Sequence, residues 1–194
     1  MILKKLLSSQ TLKLIKEFKN NNKEVFDVAV YGSAIRNKLN INDLDLAIIF
    51  INKENLEKKL SLSQELKNKL KNLVEFELDI RGIDFTDLLD NSFLARNSIV
   101  AESFLILNNK FLHELLGFKS YYLFIYSLSG MKQSKKVLLM YSLFGRRGEK
   151  GIIKNTDSEV IGSGVIKVHL QYSEEFKEMF EKNNVKFKIN RCIE

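Results

Sequence analysis

Val28-Ala29-Val30-Tyr31-Gly32-Ser33-Ala34-Ile35-Arg36, followed by Asn42-Asp43-Leu44-Asp45-Leu46, is the stretch whose reading decides the fold. Val25 to Tyr31 is a run of strand formers that ends at a glycine. Gly32 has no side chain, which permits a tight turn and close approach of a ligand. Ser33 opens a short helix or turn through about Asn37 and offers backbone amides and a hydroxyl to an anion. Leu44 to Ile51 is a second strand, and its continuous apolar run after Asp45 predicts burial on both faces. Asp43 and Asp45 stand at i and i+2 where that strand begins, so both carboxylates point to one face.

Two carboxylates so placed repel each other unless a cation lies between them. The apolar continuation Leu46-Ala47-Ile48-Ile49 raises the cost of keeping them without a function. A hard, oxygen-liganded metal resolves the conflict, and magnesium bridging to phosphate is its usual biological form. Further along, Val74 to Ile83 alternates strictly. Val74, Phe76, Leu78 and Ile80 share one face, and Glu75, Glu77, Asp79 and Arg81 the other. A third acid from this strand would support two metal ions roughly 4 Å apart, clamping the attacking and leaving oxygens of an in-line displacement. Alone, Asp-x-Asp is usually a solvated turn, and Gly-Ser is commoner still. In this order, each after an apolar strand, they point to a site.

Outward from this stretch the pattern is α+β. Ile2 to Lys19 carries apolar residues at helical spacing and stops at Asn20-Asn21-Asn22. Asn52 to Asn72 is an amphipathic helix, Thr86 to Asn91 a short one, Ile99 to Leu107 a strand, and Lys110 to Leu116 a helix closed by Gly117. Beyond Gly117 the expected elements are a strand Tyr121 to Leu128, a helix Lys132 to Phe144, strands at Gly151 to Lys154 and Val160 to Leu170, a helix Ser173 to Lys182, and a strand Val185 to Ile193. Gly162-Ser163-Gly164 reads as a hairpin or bulge. That order is βαββαβ, the ferredoxin-like arrangement. The chain is therefore expected to divide into a catalytic α/β half, residues 1–118, and a basic α+β half, residues 119–194.

Composition narrows the classes. There are 194 residues, no proline and one cysteine, Cys192, so an internal disulfide is excluded and a cysteine-based zinc site is disfavoured. His113 and His169 lack a partner at metal-ligand spacing and read as a helix residue and a strand-end residue. No apolar run approaches the roughly 20 residues of a membrane helix. Met1-Ile2-Leu3-Lys4-Lys5-Leu6-Leu7 reads as a helix start and not as a signal peptide. The expected location is the cytoplasm. The net charge is +7, which suits a polyanionic partner. Seven basic residues between Met131 and Lys154, less the single acid Glu149, leave +6 in that segment. The basicity is local.

The Val25 to Ile83 stretch resembles the signature of the DNA polymerase beta superfamily of nucleotidyltransferases, particularly its small stand-alone bacterial and archaeal members. The carriers are Tyr31-Gly32-Ser33 and Asp43-Leu44-Asp45-Leu46, in the family's order and spacing, with a later acid-bearing strand. The resemblance implies transfer of a nucleoside monophosphate from a nucleoside triphosphate, with ATP among the candidates, and release of pyrophosphate. It implies that Gly32 and Ser33 hold the triphosphate and that Asp43 and Asp45 bind two magnesium ions. Arg36 matches a position often basic in small members, where it would touch the outer phosphates; the alternative is a solvated turn arginine. The third acid would bind the catalytic metal and help deprotonate the attacking hydroxyl. Asp79 is preferred for it, and Glu77 fits the same pattern.

In the second half, Lys132, Lys135 and Lys136 lie on a helix, and Arg146, Arg147 and Lys150 in the glycine-rich loop Gly145 to Gly151. They are the candidate nucleic-acid contacts, since arginine forks and flexible backbone amides conform to phosphates. Tyr121, Tyr122, Phe124 and Tyr126 lie in the adjoining strand, one face of which could stack bases; the alternative is that they serve as core. The expected acceptor is a nucleic-acid end, RNA before DNA. The alternatives are a protein or small-molecule hydroxyl, and a catalytically inactive binding module. A protein partner or a homo-oligomer completes the expected associations.

Overall fold

The computed structural model describes residues 7–36 and 42–194. The expected start of the first helix, Ile2 to Leu6, and the end of the turn at Asn37 lie outside them. The chain forms two compact units, Met1–Phe118 and Lys119–Glu194.

In the first unit, α1 (Ser9–Asn21) starts where the Ser8 hydroxyl accepts from the Thr11 amide, the usual way to satisfy an orphan helix donor. β1 (Val25–Tyr31), β2 (Asp43–Phe50), α2 (Leu56–Leu70), β3 (Glu77–Asp84), α3 (Phe85–Leu89), α4 (Arg96–Glu102), β4 (Phe104–Leu105), β5 (Lys110–Phe111) and α5 (Leu112–Leu115) follow. The strands form one mixed sheet in the order β3-β2-β1-β4-β5, in which only the β2–β3 pair is parallel. Val28, Val30, Leu44, Leu46, Ile48 and Phe50 pack on one face with Ile15 and Phe18 of α1 and Leu62, Leu66 and Leu70 of α2. Ala29, Tyr31, Ala47, Ile49 and Ile83 fill the other face with Ile99 and Leu112. Both faces of β1 and β2 are thus apolar, and their sequences read as continuous runs for that reason.

Two polar clusters hold this unit together. Asp27, fully buried on β1, accepts from the backbone amides of Val28, Leu107 and Asn108 and from the Asn108 side chain. It pins the loop after β4. Asp84 caps α3 by accepting from Thr86 and Asp87, and Lys59 of α2 lies 2.7 Å from Asp84 and 2.6 Å from Asp87. Burial by itself would raise the Asp84 carboxyl. Lys59, Thr86 and the amides of Glu54 and Asp87 outweigh it and hold the group well below the ordinary aspartate range.

Ile99 to Leu107 is not the expected strand. It is α4 followed by a two-residue β4. The helical turn buries Ile99 and Ala101 together with Glu102, a set that a strand would split between two faces.

The second unit runs β6 (Ser120–Ser127), α6 (Gln133–Phe144), β7 (Gly145–Arg146), β8 (Glu149–Lys150), α7 (Ile152–Asn155), β9 (Glu159–Gly162), β10 (Val165–His169), α8 (Ser173–Lys182) and β11 (Lys186–Ile193). Its antiparallel main sheet has the order β11-β6-β10-β9. Gly162-Ser163-Gly164 turns the β9–β10 hairpin, with Gly164 at φ +73°. The strand expected at Gly151 to Lys154 is the helical turn α7. Its Ile152 and Ile153 pack against the second core, and the Thr156 hydroxyl donates to the Ile152 carbonyl at 2.7 Å. The second strand of the βαββαβ order is β9 instead. Tyr122, Phe124, Ile166, Val168, Phe176 and Phe180 form the core of this unit. Among the described residues, no helix is long and apolar enough to cross a membrane.

Candidate active site

The candidate site sits where the apolar interior of β2 gives way to solvent. Along the Asp43 face, Ile49 and Ala47 are fully buried, Asp45 is half-buried and Asp43 is exposed. Strand pairing then aligns the chemistry. Tyr31 of β1 is opposite Asp45, Asp45 is opposite Asp79 of β3, and Asp43 is opposite Glu77. Directly paired residues project to the same face, so Tyr31, Asp45 and Asp79 make one row across three strands.

At the end of β1, Gly32–Ala34 forms a single 3₁₀ turn closed by the Ile35 amide donating to the Gly32 carbonyl at 3.3 Å. Gly32 has φ +73°, and a Cβ at this position would collide with the Asp45 carboxylate. The turn and the acid are therefore in direct apposition. Ser33, partly exposed, follows on the same turn.

The electrostatics single out Asp45. Its carboxyl is raised above the ordinary aspartate value by burial first and by the charges of Asp43 and Asp79 next, while Arg81 and Arg36 oppose the shift. The Tyr31 phenol is pushed up to about 12, chiefly by burial. It stays protonated in the physiological range. Arg81 donates from Nε at 3.1 Å and Nη2 at 2.8 Å to Oδ2 of Asp79. Arg36 donates from Nη1 to Oε2 of the fully buried Glu102 at 2.7 Å.

Among the described residues, no three His, Cys, Asp or Glu side chains converge as a ready metal cage; the Asp79 carboxylate is engaged by Arg81. The donor set still fits a hard divalent ion. It consists of carboxylate oxygens on one face, whose mutual repulsion raises Asp45 and would be relieved by a cation between them.

Sequence reasoning gave no role to three residues of this constellation. Tyr31 was part of the quoted stretch, but its place opposite Asp45 depends on strand register. Arg81 stands two residues after Asp79 in an alternating strand, and that parity was a usable signal. Glu102 carried no signal, because its segment read as a strand.

A family model described as Polymerase beta, Nucleotidyltransferase matches residues 13–111, just over half of the chain. The chain belongs to the polymerase beta nucleotidyltransferase family. The match includes both strands of the Gly32 to Asp45 apposition and the whole of β3, so this nucleotidyltransferase carries its candidate site within the family domain. No curated protein matches the sequence. Among solved structures, the toxin–antitoxin complex MntA-HepT is similar at 15% identity, over 50% of this chain and 68% of that one, with a TM-score of 0.33. A structure described as tri-AMPylated Shewanella oneidensis HEPN toxin in complex with MNT antitoxin is similar at 14% identity, over 56% and 82%, with a TM-score of 0.36.

In the nucleotidyltransferase's second unit, the candidate nucleic-acid residues fall into two groups. Lys132 immediately precedes α6, and Lys135 and Lys136 lie in its first turn; Arg146, Arg147 and Lys150 belong to the β7–β8 ribbon beyond its other end. The twelve-residue helix separates them by about 18 Å at 1.5 Å per residue. Tyr122, Phe124 and Tyr126 share one face of β6 and join the core. Only Tyr121 is on the opposite face, where Lys167 lies over its ring at 4.1 Å. The four aromatics do not form one stacking platform, because adjacent strand residues alternate faces.

Proposed function

We propose that this nucleotidyltransferase moves a nucleoside monophosphate from a nucleoside triphosphate to a hydroxyl acceptor in a magnesium-dependent reaction. The apposition of Asp45 with the Gly32 turn, in a row with Asp79, carries the reading. Gly32 and Ser33 orient the triphosphate through backbone amides and the Ser33 hydroxyl. Asp43 and Asp45, with Asp79, would hold two magnesium ions, which when bound neutralise triphosphate charge and polarise the reacting oxygens.

In the transfer, the acceptor oxygen forms a bond to the α-phosphorus. The bond from that phosphorus to the bridging oxygen breaks, and its electron pair leaves with pyrophosphate. Asp79 takes the acceptor proton; Arg81 occupies its Oδ2, so Oδ1 is the proposed base. Tyr31, protonated beside Asp45, acts as a donor. Arg36, joined to Glu102, braces the turn and tempers the charge on Asp45, beyond its expected phosphate contact.

The acceptor proposed first is a hydroxyl on a protein. The aromatic face of β6 is turned into the core and Tyr121 stands alone on the other, which weakens the RNA reading, while α6 exposes apolar side chains suited to a protein surface. An RNA end remains the second reading, supported by the net charge of +7. The test incubates the protein with each α-phosphate-labelled nucleoside triphosphate, magnesium, and either cellular RNA or cellular protein, beside the Asp43→Ala, Asp45→Ala variant. Label in protein that requires both acids supports the first reading, and label in RNA establishes the second. Label incorporation that is unchanged in the variant overturns the site.

A further inference from the structure

The helix α6 has the sequence Gln-Ser-Lys-Lys-Val-Leu-Leu-Met-Tyr-Ser-Leu-Phe. Only Leu139 and Leu143 of it are buried. Val137, Met140, Tyr141 and Phe144 are exposed, as is Leu138 at 61%. At 100° per residue, Met140, Phe144, Val137 and Tyr141 fall in one continuous stripe beside the packed face. A contiguous exposed apolar stripe of this kind, unlike apolar side chains exposed singly, marks a contact surface.

Its ends say what would cover it. Lys132, Lys135 and Lys136 stand at one end, and Arg146, Arg147 and Lys150 at the other. Arg146 places its guanidinium 4.6 Å from the centre of the Tyr141 ring and so caps the stripe with a cation. At the first end a cavity of about 390 Å³ is lined by Lys132, Lys135 and Lys186 with Asn183 and Asn184. Between the two groups no side chain of the helix is charged, and the hydroxyls are those of Tyr141 and Ser142.

We propose that this face of α6 docks a partner protein through an acidic amphipathic helix, with apolar residues along the stripe and carboxylates reaching both cationic groups. A second copy of this chain is disfavoured, since parallel or antiparallel pairing of α6 sets cations against cations. A nucleic-acid backbone would need cations in a continuous track, and here apolar side chains interrupt it. A helix lying on a membrane would carry lysines along its polar face, and these cations gather at the ends. The inference holds whether or not the docked partner is also the acceptor.

The test measures fluorescence anisotropy of the full chain with a labelled peptide of about 18 residues, long enough to span both groups at 1.5 Å per residue. The peptide carries leucines at i, i+3, i+4 and i+7 and glutamates elsewhere. A scrambled peptide, an oligouridylate and anionic phosphatidylserine vesicles are compared with it. The amphipathic peptide is expected to bind at least about tenfold tighter than the scrambled one, and Met140→Ser with Phe144→Ser to remove that advantage. Both substituted side chains are exposed, and unchanged circular dichroism would show the fold intact. Lys135→Glu with Arg147→Glu should weaken the acidic peptide and favour its lysine counterpart. Equal binding of the scrambled peptide, tighter binding of oligouridylate or vesicles, or insensitivity to both variants overturns the proposal. Binding is read without nucleotide and in an Asp45→Asn background, so failure of the transferase reading would leave this result standing.

Discussion

The carboxylate of Asp45 occupies the space that a side chain at Gly32 would need. Gly32 is therefore fixed twice, by its φ of +73° and by its neighbour. Gly32→Ala is expected to force the turn and the acid apart. Since a displacement of about 1 Å in a positioned site costs on the order of 100-fold, transfer should fall at least that far. Steady-state kinetics beside a thermal melt would check it; a variant of normal activity would mean that the turn does not position the triphosphate.

Asp45 is held at a cost to the fold. Its folded carboxyl is raised from the ordinary 3.8, so the ionised form is disfavoured relative to the unfolded chain. The penalty is absent below the unfolded value and appears as pH rises through the folded one. Asp45→Asn should thus melt higher than wild type at pH 7 in the absence of magnesium, by a few degrees. The difference should vanish near pH 3. Added magnesium should raise only the wild-type transition. Differential scanning fluorimetry at both pH values reads all three.

Asp79 and Glu77 are separable by mutation. Asp79 is paired with Asp45 and adds to its charge repulsion, whereas Glu77 is opposite the exposed Asp43. Asp79→Asn is expected to lower kcat by about 100-fold or more, the usual loss for a proton-accepting group. Glu77→Gln should remain near wild type. The reverse ranking would move the third acid to Glu77.

Arg81 opposes the raised Asp45 carboxyl and holds Oδ2 of Asp79. Without it, Asp45 ionises at higher pH. The acidic limb of the kcat/KM profile of Arg81→Ala should therefore shift toward neutral pH, with Arg81→Lys partly restoring it. An unshifted limb would show that Asp45 does not control that limb.

Lys59→Met tests the fold away from the site. It would leave Asp84, almost fully buried, and its neighbour Asp87 without their cation. Breaking such a pair costs about 3 kcal/mol, measurable by urea unfolding at pH 7. Because the Asp84 carboxyl is depressed below its ordinary 3.8, its contribution is fully present above that value and fades as pH falls below it. The gap between wild type and variant should narrow in acid.

The apolar run of β2 and the break at Gly32 were legible because both are local. Parity along one strand put Asp43 and Asp45 on one face, and the structure keeps them there. What parity along one strand cannot give is register between strands, which brings Tyr31 to Asp45 and Asp79 alongside. Short segments with adjacent apolar residues were also ambiguous. Ile99 to Leu107 and Gly151 to Lys154 suit a strand or one helical turn, and tertiary burial chose the turn. In β6, the aromatics were visible, but which face of the strand packs into the core is set by the elements laid against it. The exposed stripe of α6 was hidden because its sequence looks like core on most sides.

The row Tyr31–Asp45–Asp79 is drawn across three neighbouring strands, and none of its members is held in place by sequence proximity to the next. If β3 slipped by a single residue against β2, Leu78 or Ile80 would stand beside Asp45 in place of Asp79. With the site as proposed, a misregistered chain would look compact yet be chemically silent. Turnover at that site would then be a proofreading signal for the protein's own assembly: a preparation's active fraction would count the molecules whose sheet has closed in the correct alignment.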